Sequence, residues 1–218
     1  MSEMRFVRNG RGKEQLVIED AVLRFNNFAG KQTEFNAAGN RNIDVILPDN
    51  KMAVEMGENG WNVKIRKPRD PEDDSYYTLN IKINLDSRWP PKIFQHNKRE
   101  TIELTSLDYW AKILRDECKT AEEFNRRYPK PDDFDNAVRN AMLDAVSSLD
   151  NLSLENICMA VNGSAWDSQF GHGIKAYLDE LHFRPAPSLF GRYYDNDESE
   201  LETEDIPFKL DNNGEEQD

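Results

Sequence analysis

Apolar and polar residues alternate with period two from Val17 to Leu104 and again from Leu154 to Phe183, and follow a period of 3.6 in the block between them. Val17–Phe28 reads as a strand with Ala21, Leu23 and Phe25 pointing inward, ended by Asn26 and Asn27. Asn42–Leu47, rich in β-branched residues, is a second strand, and the segment between them, Phe28 to Arg41, is a loop with Gly30 and Gly39. Pro48-Asp49-Asn50 makes a turn and caps a short helix over Lys51–Glu58. Trp61, Val63 and Ile65 then alternate with Asn62, Lys64 and Arg66. Tyr77, Leu79, Ile81, Ile83 and Leu85 alternate in the same way with Thr78, Asn80, Lys82 and Asn84. These two runs pair as a hairpin with an apolar face inward and a polar, cationic face outward. Short strands are expected after Trp89-Pro90-Pro91 and over Thr101–Leu104.

The period changes at Thr105. Leu107, Trp110, Ala111, Ile113 and Leu114 form a helical stripe capped by Thr105 or Ser106. Helix resumes over Thr120–Arg127, is broken at Pro129 and Pro131, and runs again from Asp132 to Leu149 with Phe134, Val138, Met142 and Val146 on one side. Strand character returns at Leu154–Val161, followed by a loop dense in glycine and aromatic residues, Asn162–Gly173. Ile174–Phe183 is the last strand, with a phase shift at Asp179 that predicts a bulge. The whole predicts a mainly β (α+β) fold, an OB-type antiparallel barrel of five to six strands with a helical insertion before the last strands. Its domain spans 16–190, interrupted by the insertion at 105–150, between a flexible basic arm at 1–15 and an acidic tail at 191–218.

The formal net charge of −13 argues against nucleic acid until it is divided along the chain. Residues 195–218 hold eleven of the 41 acidic residues and one of the 28 basic ones, which leaves 30 acids and 27 bases elsewhere. A body so near neutrality can carry a basic face, because binding depends on local charge. A tail of this composition is expected to be disordered. Cys118 and Cys158 stand in dissimilar contexts, without metal-ligand spacing to His96, His172 or His182, so no disulfide framework, metal or cofactor is expected. No apolar run approaches the roughly 20 residues of a membrane span, and the N-terminus lacks a secretory signal, so a cytoplasmic setting is expected. P-loop, GxGxxG, GxSxG and HExxH motifs are absent, and His172 between two glycines has no nucleophile to serve. The sequence reads as a binding protein rather than an enzyme.

What the pattern offers chemically is aromatic rings beside cations and amides, a mixture that suits stacking on bases while neutralising phosphates. The loop aromatics Phe28, Phe35, Trp89, Trp166 and Phe170 and the polar-parity tyrosines Tyr76 and Tyr177 are the candidate platforms. Lys31, Arg41, Lys64, Arg66, Lys82, Arg88, Lys92 and Lys175 are the candidate phosphate contacts. Phe25, Trp61 and the Ile43–Leu47 run fall in phase with the apolar positions and are assigned to the core.

The blocks RFNNFAGKQTEFNAAGNRN, GWNVKIRKPRD, PPKI and VNG…GIKAYL, in this order, resemble OB-fold, single-stranded-DNA-binding-like proteins encoded by bacteriophages. The resemblance covers Glu19–Leu104 and Leu154–Phe183. It implies a sequence-tolerant single-stranded DNA (ssDNA) binder in phage DNA replication or recombination, in the host cytoplasm, without catalysis or cofactor. It also implies that the acidic tail, with Asp205-Ile206-Pro207-Phe208 as an apolar anchor, competes with DNA and recruits replication or recombination proteins. A homo-oligomer is compatible with it. The helical insertion departs from the pattern and would cover the cleft, build an oligomer interface or dock a partner. The alternative is an interaction or structural protein that binds no DNA and uses the insertion as its contact surface.

Overall fold

The computed structural model describes residues 2–10, 12–34, 36–67, 74–169 and 171–186. The expectations for Phe35, Phe170, the 68–73 loop and the acidic tail fall outside these residues. The described strands are β1 (Glu3–Arg8), β2 (Glu14–Glu19), β3 (Val22–Asn27), β4 (Arg41–Leu47), β5 (Val63–Arg66), β6 (Tyr76–Ile83), β7 (Lys92–His96), β8 (Thr101–Glu103), β9 (Leu154–Ser168) and β10 (Gly171–Pro185). They form one mixed sheet with the order β1-β2-β9-β10-β6-β4-β3; β5 adds to β6, and β7 joins β10 to β8.

β2 and β3 are one run of chain bent at Asp20, whose φ of 48° lies in the left-handed region, while the Ala21 N–H donates to the Ile157 carbonyl at 2.7 Å. The sheet path therefore begins near, and ends on, consecutive pieces of the same segment. β10 runs parallel to β6 at Ala176–Ile81 and parallel to β7 over Glu180–Phe183. The alternation predicts fewer strands and antiparallel pairing only. Parallel neighbours need a long crossover, and the helical block between β8 and β9 lies within the chain that makes it.

Three local expectations change. Glu3–Arg8 is not a free arm: it pairs along its length with β2, and Arg5 meets Glu19 at 2.6 Å. Of the segment expected as a loop, Asn162–Ser168 and Gly171–Gly173 are instead the outer arms of the β9–β10 hairpin, where Gly163 leaves room for Trp61; a Cβ there would lie 2.9 Å from the indole. Phe25 is not in the core. Leu23 pairs with Val45 and Phe25 with Asp44, so Arg24 is an extra residue, the alternation restarts out of phase, and Phe25 is 57 % exposed. Ile65 is also exposed, on a strand that pairs with β6 alone among the described strands. The bulge expected at Asp179 is present, because Leu178 faces Val161 and Glu180 faces Ala160.

The core takes Leu16 and Ile18 from β2, Ile43 and Val45 from β4, and Leu79 and Ile81 from β6, with Met159, Val161, Leu181 and Phe183 from the last two strands. The helices follow their caps: α1 (Asn50–Glu58) starts where the Asp49 carboxylate accepts from Met52 N–H, and α2 (Leu107–Asp116) where Ser106 accepts from Tyr109 N–H. α3 (Ala121–Arg127) is capped by Thr120, and α4 (Pro131–Ser148) starts at a proline. Val146 and Leu149 at the end of α4 are fully buried in the main core cluster. The end of α4 thus packs into the main core, while Tyr128, Phe134 and Val138 form a second cluster among the helices. Beyond α4, the Asp150 carboxylate accepts from the backbone N–H groups of Phe28 at 2.7 Å and Ala29 at 3.1 Å. Asp150→Ala should therefore cost about 1.5–3 kcal/mol in urea unfolding, the range for hydrogen bonds to a charged group, with Asp150→Asn intermediate.

On β7 and β10 a chain of polar groups reads in one direction. Glu180 accepts from His182 Nε2–H at 3.0 Å, so His182 Nδ1 accepts from His96 Nε2–H at 2.7 Å, and Thr101 Oγ–H donates to His96 Nδ1 at 3.0 Å. Burial, then the charges of His182 and Arg184, hold His96 below the ordinary histidine value, and the bond from His182 holds Glu180 below the usual carboxylate range. The unfolded chain then binds a proton on His96 before the folded one does, so stability falls as pH drops through 6.5, and further as Glu180 is protonated below 4.5. The Tm should be lower at pH 5.5 than at pH 7.5, with a smaller difference in His96→Gln.

Candidate nucleic-acid interface

Strand registers lay one polar row across the sheet. Asn27 pairs with Asn42, Asn42 with Lys82, Lys82 with Tyr177, Tyr177 with Asn162, and Asn162 with Gln15. Strand periodicity puts a second row, Phe25–Asp44–Asn80, on the same face to one side. Lys175, opposite Ser164, and Trp166, opposite Gly173, lie on that face to the other side. From β3 to β9 the tract spans roughly 19 Å at the usual strand spacing.

Phe25 is the exposed ring of this face. The Cζ atoms of Arg24 and Arg66 lie 6.0 and 5.8 Å from its centroid, within cation–π range. Arg66 reaches it from β5 across two strands: Nε donates to Thr78 Oγ1 at 3.4 Å and Nη2 to Asp44 Oδ2 at 3.0 Å. Thr78, expected outward, is only 1 % exposed in this arrangement. Asn80 Nδ2 donates to Asp44 Oδ1 at 2.6 Å and lies 3.3 Å from Asn42 Oδ1, and Asn42 Nδ2 donates to Asn36 Oδ1 at 3.0 Å. The carboxylate, largely buried, fixes the guanidinium beside the ring. A ring and a guanidinium plane held beside amides are the groups on which unpaired bases stack and pair.

The β3–β4 loop is laced internally. Asn27 Oδ1 accepts from Lys31 N–H at 2.7 Å, Asn27 Nδ2 donates to Lys31 O at 2.9 Å, and Gly39 N–H donates to Gly30 O at 2.8 Å. Gly30 has φ 66°, and a Cβ there would come within 3.1 Å of the Gly39 carbonyl carbon, so the turn requires glycine. On the hairpin arm the Lys175 ammonium sits 5.1 Å from the half-buried Trp166 ring.

The predicted residues divide accordingly. Arg66, Lys82, Tyr177, Lys175 and Trp166 come together on the tract. Lys64 is exposed on β5, Tyr76 is half-buried opposite Arg66, and Lys31 is exposed in the laced loop. Arg41 opens β4 half-buried, and its Nε is buried without a hydrogen-bond partner among the described residues. Trp89, 70 % exposed with Arg88 over its ring at 5.6 Å, lies on the β6–β7 connection, and Lys92 pairs with Glu180; none shares a row with the tract. Phe28 is fully buried and presents no face to a base. Phe25, Arg24, Asp44, Asn42 and Asn80 were not among the sequence candidates; Asn80 had the outward parity, while the bulge at Arg24 that turns Phe25 outward has no mark in the alternation.

A family model described as "Putative phage ssDNA-binding domain" matches residues 6–118, just over half of the chain. The chain belongs to that family. Its match takes in Phe25, Asp44, Arg66, Asn80 and Lys82 and ends before α3, so the β9–β10 hairpin lies outside it. Among solved structures, the chain is similar to the single-stranded DNA-binding protein from bacteriophage Enc34. Its complex with ssDNA aligns at 10% identity and TM-score 0.40, covering 83% of this chain and 90% of that one. Its C-terminal truncation aligns at 12% identity and TM-score 0.38, covering 83% and 88%. No curated protein matches the chain. No helix among the described residues is long and apolar enough to cross a membrane.

Proposed function

We propose that this family member is a sequence-tolerant, non-enzymatic ssDNA-binding protein of OB type, acting in phage DNA replication or recombination in the host cytoplasm. The observation that carries the reading is the exposed Phe25–Arg66 platform on a polar, lysine-bearing sheet face. The OB-type reading is supported by the strand succession β3-β4-β6-β10-β9, with β6 and β10 parallel and helices before β9. In that fold, strands two and three and the loops after strands one and four hold oligonucleotides. Here those are β4, β6, the laced β3–β4 loop and the β9–β10 hairpin. Phe25, Tyr177 and Trp166 stack on bases; Lys31, Arg41, Lys64, Lys82 and Lys175 meet phosphates; Arg66 braces the platform. The acidic tail competes with DNA for this face and recruits partners.

A fluorescence-anisotropy titration with oligo-dT at several salt concentrations tests this. Five neutralised phosphates predict a log–log salt slope of about −3.5. Deleting residues 195–218 should tighten binding at low salt. Absence of binding at low salt, with and without the tail, refutes the proposal.

A further inference from the structure

A cleft of about 590 Å³ opens between the end of α1, inside the segment matched by the family model, and the β9–β10 hairpin, outside it. Its volume is in the range of small-ligand sites. Glu58 and Asn59 line it from the helix end, and Trp166, Asp167 and His172 from the hairpin. The two walls are tied together, because Ile174 N–H donates to Gly60 O at 2.7 Å. Gly173 forms the floor: a Cβ there would lie 3.0 Å from Gly60 O and 3.1 Å from Trp166 Nε1, so glycine lets the indole lie close over the strand. Lys175 on the same strand holds its ammonium 5.1 Å from that ring. The cleft thus offers an aromatic wall, a cation beside it and, in exposed Glu58, a carboxylate at the rim, while Asp167 projects from the other face of its strand.

Carboxylates only accept hydrogen bonds and repel phosphate, so such a rim selects the base rather than the backbone. Of the four bases, guanine alone presents two adjacent donors, N1–H and N2–H₂, which one carboxylate can accept together. Thymine offers a single N–H between two carbonyls; adenine and cytosine place a ring acceptor beside their amino group. We propose that this cleft takes an unstacked guanine of the bound strand, its ring against Trp166 and its Watson–Crick edge on Glu58. This rests on the ssDNA-binding reading and gives an otherwise sequence-tolerant protein a preference at one position of its track.

The test compares dT15 with (dTdTdG)5 and its inosine counterpart, which lacks the N2 amino group, in lithium buffer that disfavours guanine quadruplexes, on the full-length chain. The guanine oligonucleotide should bind about tenfold tighter than dT15, the order expected for one bidentate base contact. Inosine should forfeit most of that gain, and Glu58→Gln should bind all three alike. Trp166→Ala should also lose the preference, whereas Phe25→Ala should weaken the three equally and keep their ratio. Equal wild-type affinity for dT15 and (dTdTdG)5, or a preference that survives Glu58→Gln, overturns the guanine site while leaving ssDNA binding in place. Failure to bind any of the three overturns the ssDNA-binding reading itself.

Discussion

Phe28→Ala should lower the free energy of unfolding by about 3–5 kcal/mol, the usual cost of emptying a buried aromatic site. Phe28 is fully buried in the main core cluster, and its backbone N–H is held by the Asp150 carboxylate at 2.7 Å. The surroundings are therefore pinned and cannot collapse freely into the space left. Urea unfolding should show a lower midpoint at an unchanged slope, which marks a loss of stability rather than a change of mechanism. A loss below about 1 kcal/mol would place Phe28 outside the core.

Three residues earlier the outcome reverses. Phe25→Ala should leave stability within about 0.5 kcal/mol, as for surface positions, yet weaken oligo-dT binding by roughly tenfold or more, because one base–aromatic stack is worth about 1–3 kcal/mol. Phe25→Trp should retain binding, since it keeps a ring for the base and for the Arg24 and Arg66 guanidinium groups. Unchanged affinity in Phe25→Ala would remove this ring from the DNA track. Run together, the two variants separate the fold from the site within one turn of sequence.

The contrast between these two phenylalanines shows what alternation can and cannot reveal. Where a strand runs unbroken, as in β4 and β6, period two places Ile43, Val45, Leu79 and Ile81 in the core and Asn80 and Lys82 on the outer face. Local capping chemistry marks helix starts just as directly at Asp49, Ser106 and Thr120. The extra residue at Asp179 is legible because apolar residues on both sides of it change phase. At Arg24 only one large apolar residue follows the shift, so Phe25 keeps an apparently inward parity and the platform stays hidden. The pairing of β10 with β6 and β7 is set by tertiary contacts far apart in sequence, and nothing in either strand announces it. The outward parity of Lys82 is visible in the alternation of β6; its alignment in one row with Tyr177 and Asn42 depends on registers that only the folded sheet supplies.

The central place of β10 has a consequence for how the protein comes into being. It is the last described strand in the chain, yet it fills the position between β9 on one edge and β6 and β7 on the other. During synthesis the earlier strands must wait for it, and a chain released before Gly171 would leave the facing edges of β6 and β9 as open templates for other molecules. Tyr177 and Lys175 arrive with the same strand, so the track across the sheet becomes continuous only as the fold closes. The face proposed to hold DNA and the pairing that shields these edges therefore depend on the same strand.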